Sequence, residues 1–80
     1  VVNIGGGMLV GTEAPQDLVI TYGGHLNIEG DLIIKGDLIL NNGATLEFIG
    51  DDNSIRVDGE VIVDEGSFVS GTFEDVSEKF

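Results

Sequence analysis

From His25 to Gly71 the chain reads HLNIEG, DLIIKG, DLILNNG, ATLEFIGDDN, SIRVDG, EVIVDEG, SFVSG. Each unit sets apolar residues two apart, and nearly every one closes on glycine. Alternation with period two is the mark of a strand with one buried face. A closing glycine supplies the positive φ that a sharp corner needs. Working outward, VVNIGGG, MLVG and DLVITYGG ahead of this stretch repeat the pattern. The units also recur in threes, so that Leu18, Leu38 and Val61 fall 20 and 23 residues apart. Repetition at that period is the signature of a solenoid.

Wound with three strands per coil, the inward residues form columns. Face A takes Val2/Ile4, Leu26/Ile28, Leu46/Phe48 and Phe68/Ser70. Face B takes Met8/Val10, Leu32/Ile34 and Ile55/Val57. Face C takes Leu18/Ile20, Leu38/Leu40 and Val61/Val63. Ten strands result, and stacked strands lie about 4.8 Å apart, so like residues pack on like. The alternative is a sandwich of hairpins, with primed turns at Asn42-Gly43 and Asp58-Gly59. Both inward sites are bulky and the coil is longer than 18 residues. That departs from left-handed hexapeptide helices and agrees with the right-handed rule for parallel crossovers. The expected fold is all-β: a right-handed parallel β-helix (β-solenoid) of about three coils over residues 1–71. Residues 72–80 form a tail or partial coil that can pack on the solenoid.

The 80 residues make one small domain, without cysteine to staple it by disulfide or thiolate-bound zinc. Stability must then come from coil stacking. Fifteen acids face Lys35, Arg56 and Lys79, for a net charge of −12, which repels nucleic acid and anionic membrane surfaces. No apolar run reaches the length of a membrane span and no signal peptide is visible. Opening on Val1 rather than Met, the sequence reads as a mature product or an excised piece.

The stretch Gly43 to Gly71, GATLEFIGDDNSIRVDGEVIVDEGSFVSG, resembles the right-handed β-helix, pectin-lyase-like domains of archaeal and bacterial surface proteins. Its SIRVDGEVIV segment is also similar to the bactofilins, small β-helical filament proteins. The first resemblance implies an extracellular or cell-surface location. The second implies a cytoplasmic filament.

Little here suggests catalysis. His25, the only histidine, sits at a glycine-flanked corner with no partner acid, so a solvent-exposed role is expected. Gly5-Gly6-Gly7 lacks the Lys-Ser/Thr and helix of a phosphate loop. The outward mid-strand positions are Asn3, Asn27, Glu47 and Val69 on face A, and Leu9, Ile33 and Arg56 on face B. Val19, Ile39 and Ile62 follow on face C. No carboxylate pair at glycosidase spacing emerges from them, and no outward aromatic column suits a glycan. The chain is therefore expected not to be an enzyme.

Two features do suggest sites. Asp17, Asp37 and Glu60 precede the three face-C strands at equivalent positions. Three carboxylates stacked at strand spacing repel one another unless a cation or nearby donors offset the charge, and oxygen ligands at that spacing suit Ca2+. The column is the candidate metal site, against simple solvation of the side chains. Asp51-Asp52-Asn53 makes a second acidic corner, Lys35 should lie over Asp58, and Thr21/Asn41/Asp64 should form a polar corner ladder of turn residues. The other feature is the outward column Val19, Ile39, Ile62, which makes face C apolar on both sides. Such sheets are normally covered, either at an interface or by the chain's own tail through Phe73, Val76 and Phe80. Open strand edges at the coil ends add a template for stacking. Together these point to a structural, self-associating module of an extracellular or cell-surface assembly, a homo-oligomer or filament, or a partner of other surface proteins. The alternatives are a bactofilin-like filament subunit and a carbohydrate-binding or remnant polysaccharide-active β-helix.

Overall fold

The computed structural model describes residues 1–11 and 14–79, and it is all-β, with no helix among them. Eleven short strands follow one another: β1 (Val2–Ile4), β2 (Met8–Val10), β3 (Leu18–Ile20), β4 (His25–Ile28), β5 (Asp31–Ile34), β6 (Leu38–Leu40), β7 (Thr45–Phe48), β8 (Ser54–Val57), β9 (Val61–Val63), β10 (Phe68–Ser70) and β11 (Glu74–Asp75). They form three sheets, ordered β1-β4-β7-β10, β2-β5-β8-β11 and β3-β6-β9. Every pairing is parallel, in the register Leu26↔Leu46, Leu32↔Ile55 and Leu38↔Val61. The chain is thus a β-solenoid of about three turns with three strands per coil, as the repeat requires. No hairpin forms at Asn42-Gly43 or Asp58-Gly59 among these parallel ladders.

The corners explain why the strands stop where they do. Between faces C and A the chain turns three times on the same geometry. Gly24 N–H donates to Thr21 C=O at 2.8 Å, Ala44 to Asn41 at 2.9 Å, and Ser67 to Asp64 at 3.0 Å. The third residue of each turn is Gly23, Gly43 or Gly66, with φ of 69°, 74° and 79°, while the second keeps a negative φ. That is a type II turn, whose third position favours glycine. The polar Thr21/Asn41/Asp64 ladder is the first position of these turns.

The inward columns converge on one core. Ile28, Leu32, Ile34, Leu38, Leu40, Leu46 and Ile55 are completely buried. On face A the last rung departs from the sequence expectation. Val69, not Phe68, lies opposite Leu46, and Phe68 lies opposite Thr45. Phe68 is consequently turned outward and is 55% exposed. Because side chains alternate with period two, a slip of one residue exchanges the two faces. The Gly43–Gly66 turn fixes the register at 23 residues, the same offset as Leu38 to Val61, and Phe68 as an inward residue would need 22.

The tail begins a partial fourth coil. Its strand β11 adds to the edge of β8, with Glu74↔Ser54 and Asp75↔Ile55, so it extends face B and does not lie across face C. Phe73 stacks on Phe48 with ring centroids 4.6 Å apart, which continues the core below face A. Phe80 lies outside the described residues.

Candidate functional site

Face C carries the proposed interface residues in one column. The ladder sets Val19 beside Ile39 and Ile39 beside Ile62. Val19 and Ile62 are 46% and 41% exposed, and Ile39 between them is half-buried. Behind them Leu38 and Leu40 are fully buried. The sheet is therefore apolar on both sides, and Glu74–Ser77, bound to β8, leaves its outer side open. One rim of the stripe holds Asp17, Asp37 and Glu60, and the other holds Thr21, Asn41 and Asp64.

The structure brings Asp17, Asp37 and Glu60 into register and shows what two of the carboxylates bind. Asp17 Oδ1 accepts from the Asp37 backbone N–H at 2.8 Å, and Asp37 Oδ1 accepts from the Glu60 backbone N–H at 2.8 Å. Each carboxylate caps the strand start one coil below. The side chain can reach that amide only because Gly36 and Gly59 have no Cβ, which would collide with Asp17 Oδ1 and Asp37 Oδ1. Aspartate and glycine thus form one device repeated down the corner. Among the described residues no group of three His, Cys, Asp or Glu side chains is placed to hold a metal ion. A capping role and a calcium role make different demands. Asp37→Ala removes the acceptor for Glu60 N–H and should cost about 1–2 kcal/mol, whereas Asp37→Asn keeps an oxygen there and should cost little. Thermal unfolding in EDTA and in millimolar calcium checks the assignment, since capping alone gives the same midpoint in both, and a calcium ladder a higher one in calcium.

His25 is not a free corner side chain. Its Nε2 lies 3.2 Å from Glu47 Oε1 on the next coil, and both are only partly exposed. On the same outer face Asn27 Nδ2 donates to Asn3 Oδ1 at 2.8 Å, while Asn27 Oδ1 is buried without a partner among the described residues. On face B, Lys35 lies over Asp58 with Nζ 3.9 Å from Oδ2, and Arg56 Nε donates to Asp58 Oδ1 at 2.9 Å. Exposed pairs of this kind contribute about 0–1 kcal/mol.

The residue that sequence reasoning missed is Asn53. At the corner between faces A and B its buried side chain spans three coils. Oδ1 accepts from Gly30 N–H at 2.8 Å. Nδ2 is within donating distance of the carbonyls of Ile49, Gly50 and Thr72, at 3.1, 3.0 and 2.9 Å. The signal was the length of the corner: five residues separate β7 from β8, against two between β4 and β5. A longer loop leaves carbonyls that no ladder can serve, and an amide side chain offers two N–H donors together with a separate carbonyl acceptor.

The architecture places the chain in the class of parallel β-solenoids. Compared with protein-family models, with curated proteins and with solved structures, it matches none. Among the described residues no helix is long and apolar enough to cross a membrane.

Proposed function

We propose that this solenoid is a non-catalytic structural module that associates side by side, through the outer surface of face C, in an extracellular or cell-surface assembly. The observation that supports it most directly is the Val19, Ile39, Ile62 column on a sheet already apolar behind. The tail that could have covered it extends face B instead. A solvated outer sheet position ordinarily carries a polar residue, and a contiguous apolar stripe marks a contact surface. The resemblance of Gly43–Gly71 to surface β-helices supports the location. The net charge of −12 fits a protein whose association strengthens as salt screens repulsion between copies.

The test is a charge in mid-stripe. Ile39→Lys should leave the β-sheet circular dichroism intact and shift light scattering toward smaller species. Burial of a side chain of this size contributes about 1.5–3 kcal/mol per contact. Ile33→Lys, on face B beside Arg56, serves as the control and should leave the association unchanged. Equal scattering from all three proteins refutes lateral assembly.

A further inference from the structure

The two edges of face C differ in charge, and the difference bears on how a second copy can sit on the stripe. Along the leading edge, where β3, β6 and β9 begin, stand Asp17, Asp37 and Glu60. Leu18 N–H to Asp37 C=O and Leu38 N–H to Glu60 C=O, each at 2.9 Å, hold them in register. Along the trailing edge stand Thr21, Asn41 and Asp64, aligned by Asn41 N–H to Ile20 C=O at 3.0 Å and Asp64 N–H to Leu40 C=O at 2.9 Å. One edge is three carboxylates; the other is a hydroxyl, an amide and one carboxylate. Neither edge carries a cation, and Lys35, two residues before Asp37, is turned to Asp58 on face B. The outer side of this sheet is lateral. Further coils stacked on either end of the solenoid would lengthen it without covering it.

Given self-association through face C, on which this step rests, we infer that the stripe is covered by the same face of a second copy, with the two solenoid axes parallel. A patch that pairs with itself does so about a two-fold axis. Sheets packed face to face in the aligned manner keep their strands within about 30° of one another, which leaves two arrangements. With the two-fold axis along the strands, the solenoid axes are antiparallel and leading edge meets leading edge. Six carboxylates then line one seam, with Asp37 opposite Asp37 and Asp17 opposite Glu60. With the two-fold axis along the solenoid, leading edge meets trailing edge on both sides. Asp17 then lies opposite Thr21 and Asp37 opposite Asn41, acceptors against donors. Glu60 opposite Asp64 is the one like-charged pairing left, once on each seam. Packed sheets lie about 10 Å apart, close to the screening length at 0.1 M salt, so carboxylates facing one another across a seam repel. The complementary edges favour the second arrangement.

The two arrangements differ in which residues oppose each other. Both set Ile39 against Ile39. Parallel axes set Val19 against Val19 and Ile62 against Ile62, whereas antiparallel axes set Val19 against Ile62. The native chain has no cysteine, so single cysteines joined by a short bis-maleimide report the pairing, and mass spectrometry tells the products apart. Leu9→Cys, 53% exposed on face B, gives the level of chance encounters. Ile39→Cys and Val19→Cys should each cross-link several-fold above that level. An equal mixture of Val19→Cys and Ile62→Cys should give the mixed product only at the chance level, because its thiols stand two rungs, about 10 Å, apart along the axis. Ile39→Cys at the chance level refutes association through face C itself. If Ile39→Cys cross-links and Val19→Cys does not, the parallel arrangement is overturned and face C association stands. A mixed product equal to or above the Val19→Cys product also overturns it, and assigns antiparallel axes.

Discussion

Asn53→Asp is expected to be among the most damaging substitutions in this chain, costing about 3–5 kcal/mol, the range found when a buried charge is left without its partner. The side chain is nearly inaccessible, and its Nδ2 stands within 3.1 Å of three carbonyl oxygens. A carboxylate oxygen in that place offers no proton to any of them and adds repulsion. A domain of this length is held by about 4–12 kcal/mol in total, so a large share of the stability disappears. Asn53→Ala should cost less, about 2–4 kcal/mol, because it removes the bonds to Gly30 and the three carbonyls without importing a charge. The introduced carboxyl binds its proton more tightly folded than unfolded, so its penalty is largest near neutral pH and shrinks as pH falls through its raised folded-state value. Urea unfolding of both variants at pH 7 and at pH 5 checks the order. Asn53→Asp more stable than Asn53→Ala at pH 7 would contradict this account of the corner.

The architecture was legible because a solenoid writes its fold three times over. Leu18, Leu38 and Val61 carry the same local pattern, and each coil confirms the register of the last. The face C stripe was legible for the same reason, since Val19, Ile39 and Ile62 are the single outward residue of three equivalent three-residue strands. Where the pattern weakens, inference slips. In Ser67-Phe68-Val69-Ser70 the bulkiest residue looked inward, but the glycine turn, not hydrophobicity, sets the register, and Val69 faces the core. Strand β11 has no apolar alternation at all. It pairs because Phe73 stacks on Phe48 and delivers Glu74 to the β8 edge.

The corner chemistry shows a different limit. Asp17 and Asp37 were visible as a column, yet a sequence shows only that they stack, not which atoms they reach. Their use as amide caps follows from the backbone path through Gly36 and Gly59. Asn53 is harder still. Its partners at Gly30 and Thr72 belong to the coils before and after, and their spacing depends on a corner loop that varies in length.

Leu38→Ala is the second large effect, about 2–5 kcal/mol. Face C has only three strands, so Leu38 in β6 is the one inward residue of its column with a rung on either side. Leu18 above and Val61 below are only partly buried, whereas Leu38 is completely so. Truncation there removes buried methyl groups and leaves a cavity bounded by two flanking ladders whose hydrogen bonds hold the strands apart. The site cannot collapse as a helix interface can, so the loss should lie in the upper half of that range. Leu18→Ala, in the edge strand β3, should cost about half as much, since Leu18 is only partly buried. Urea titration should show the difference as a shift in midpoint with an unchanged slope. Equal midpoints for the two variants would mean that the column is not a graded stack and that β3 is covered as completely as the middle coil.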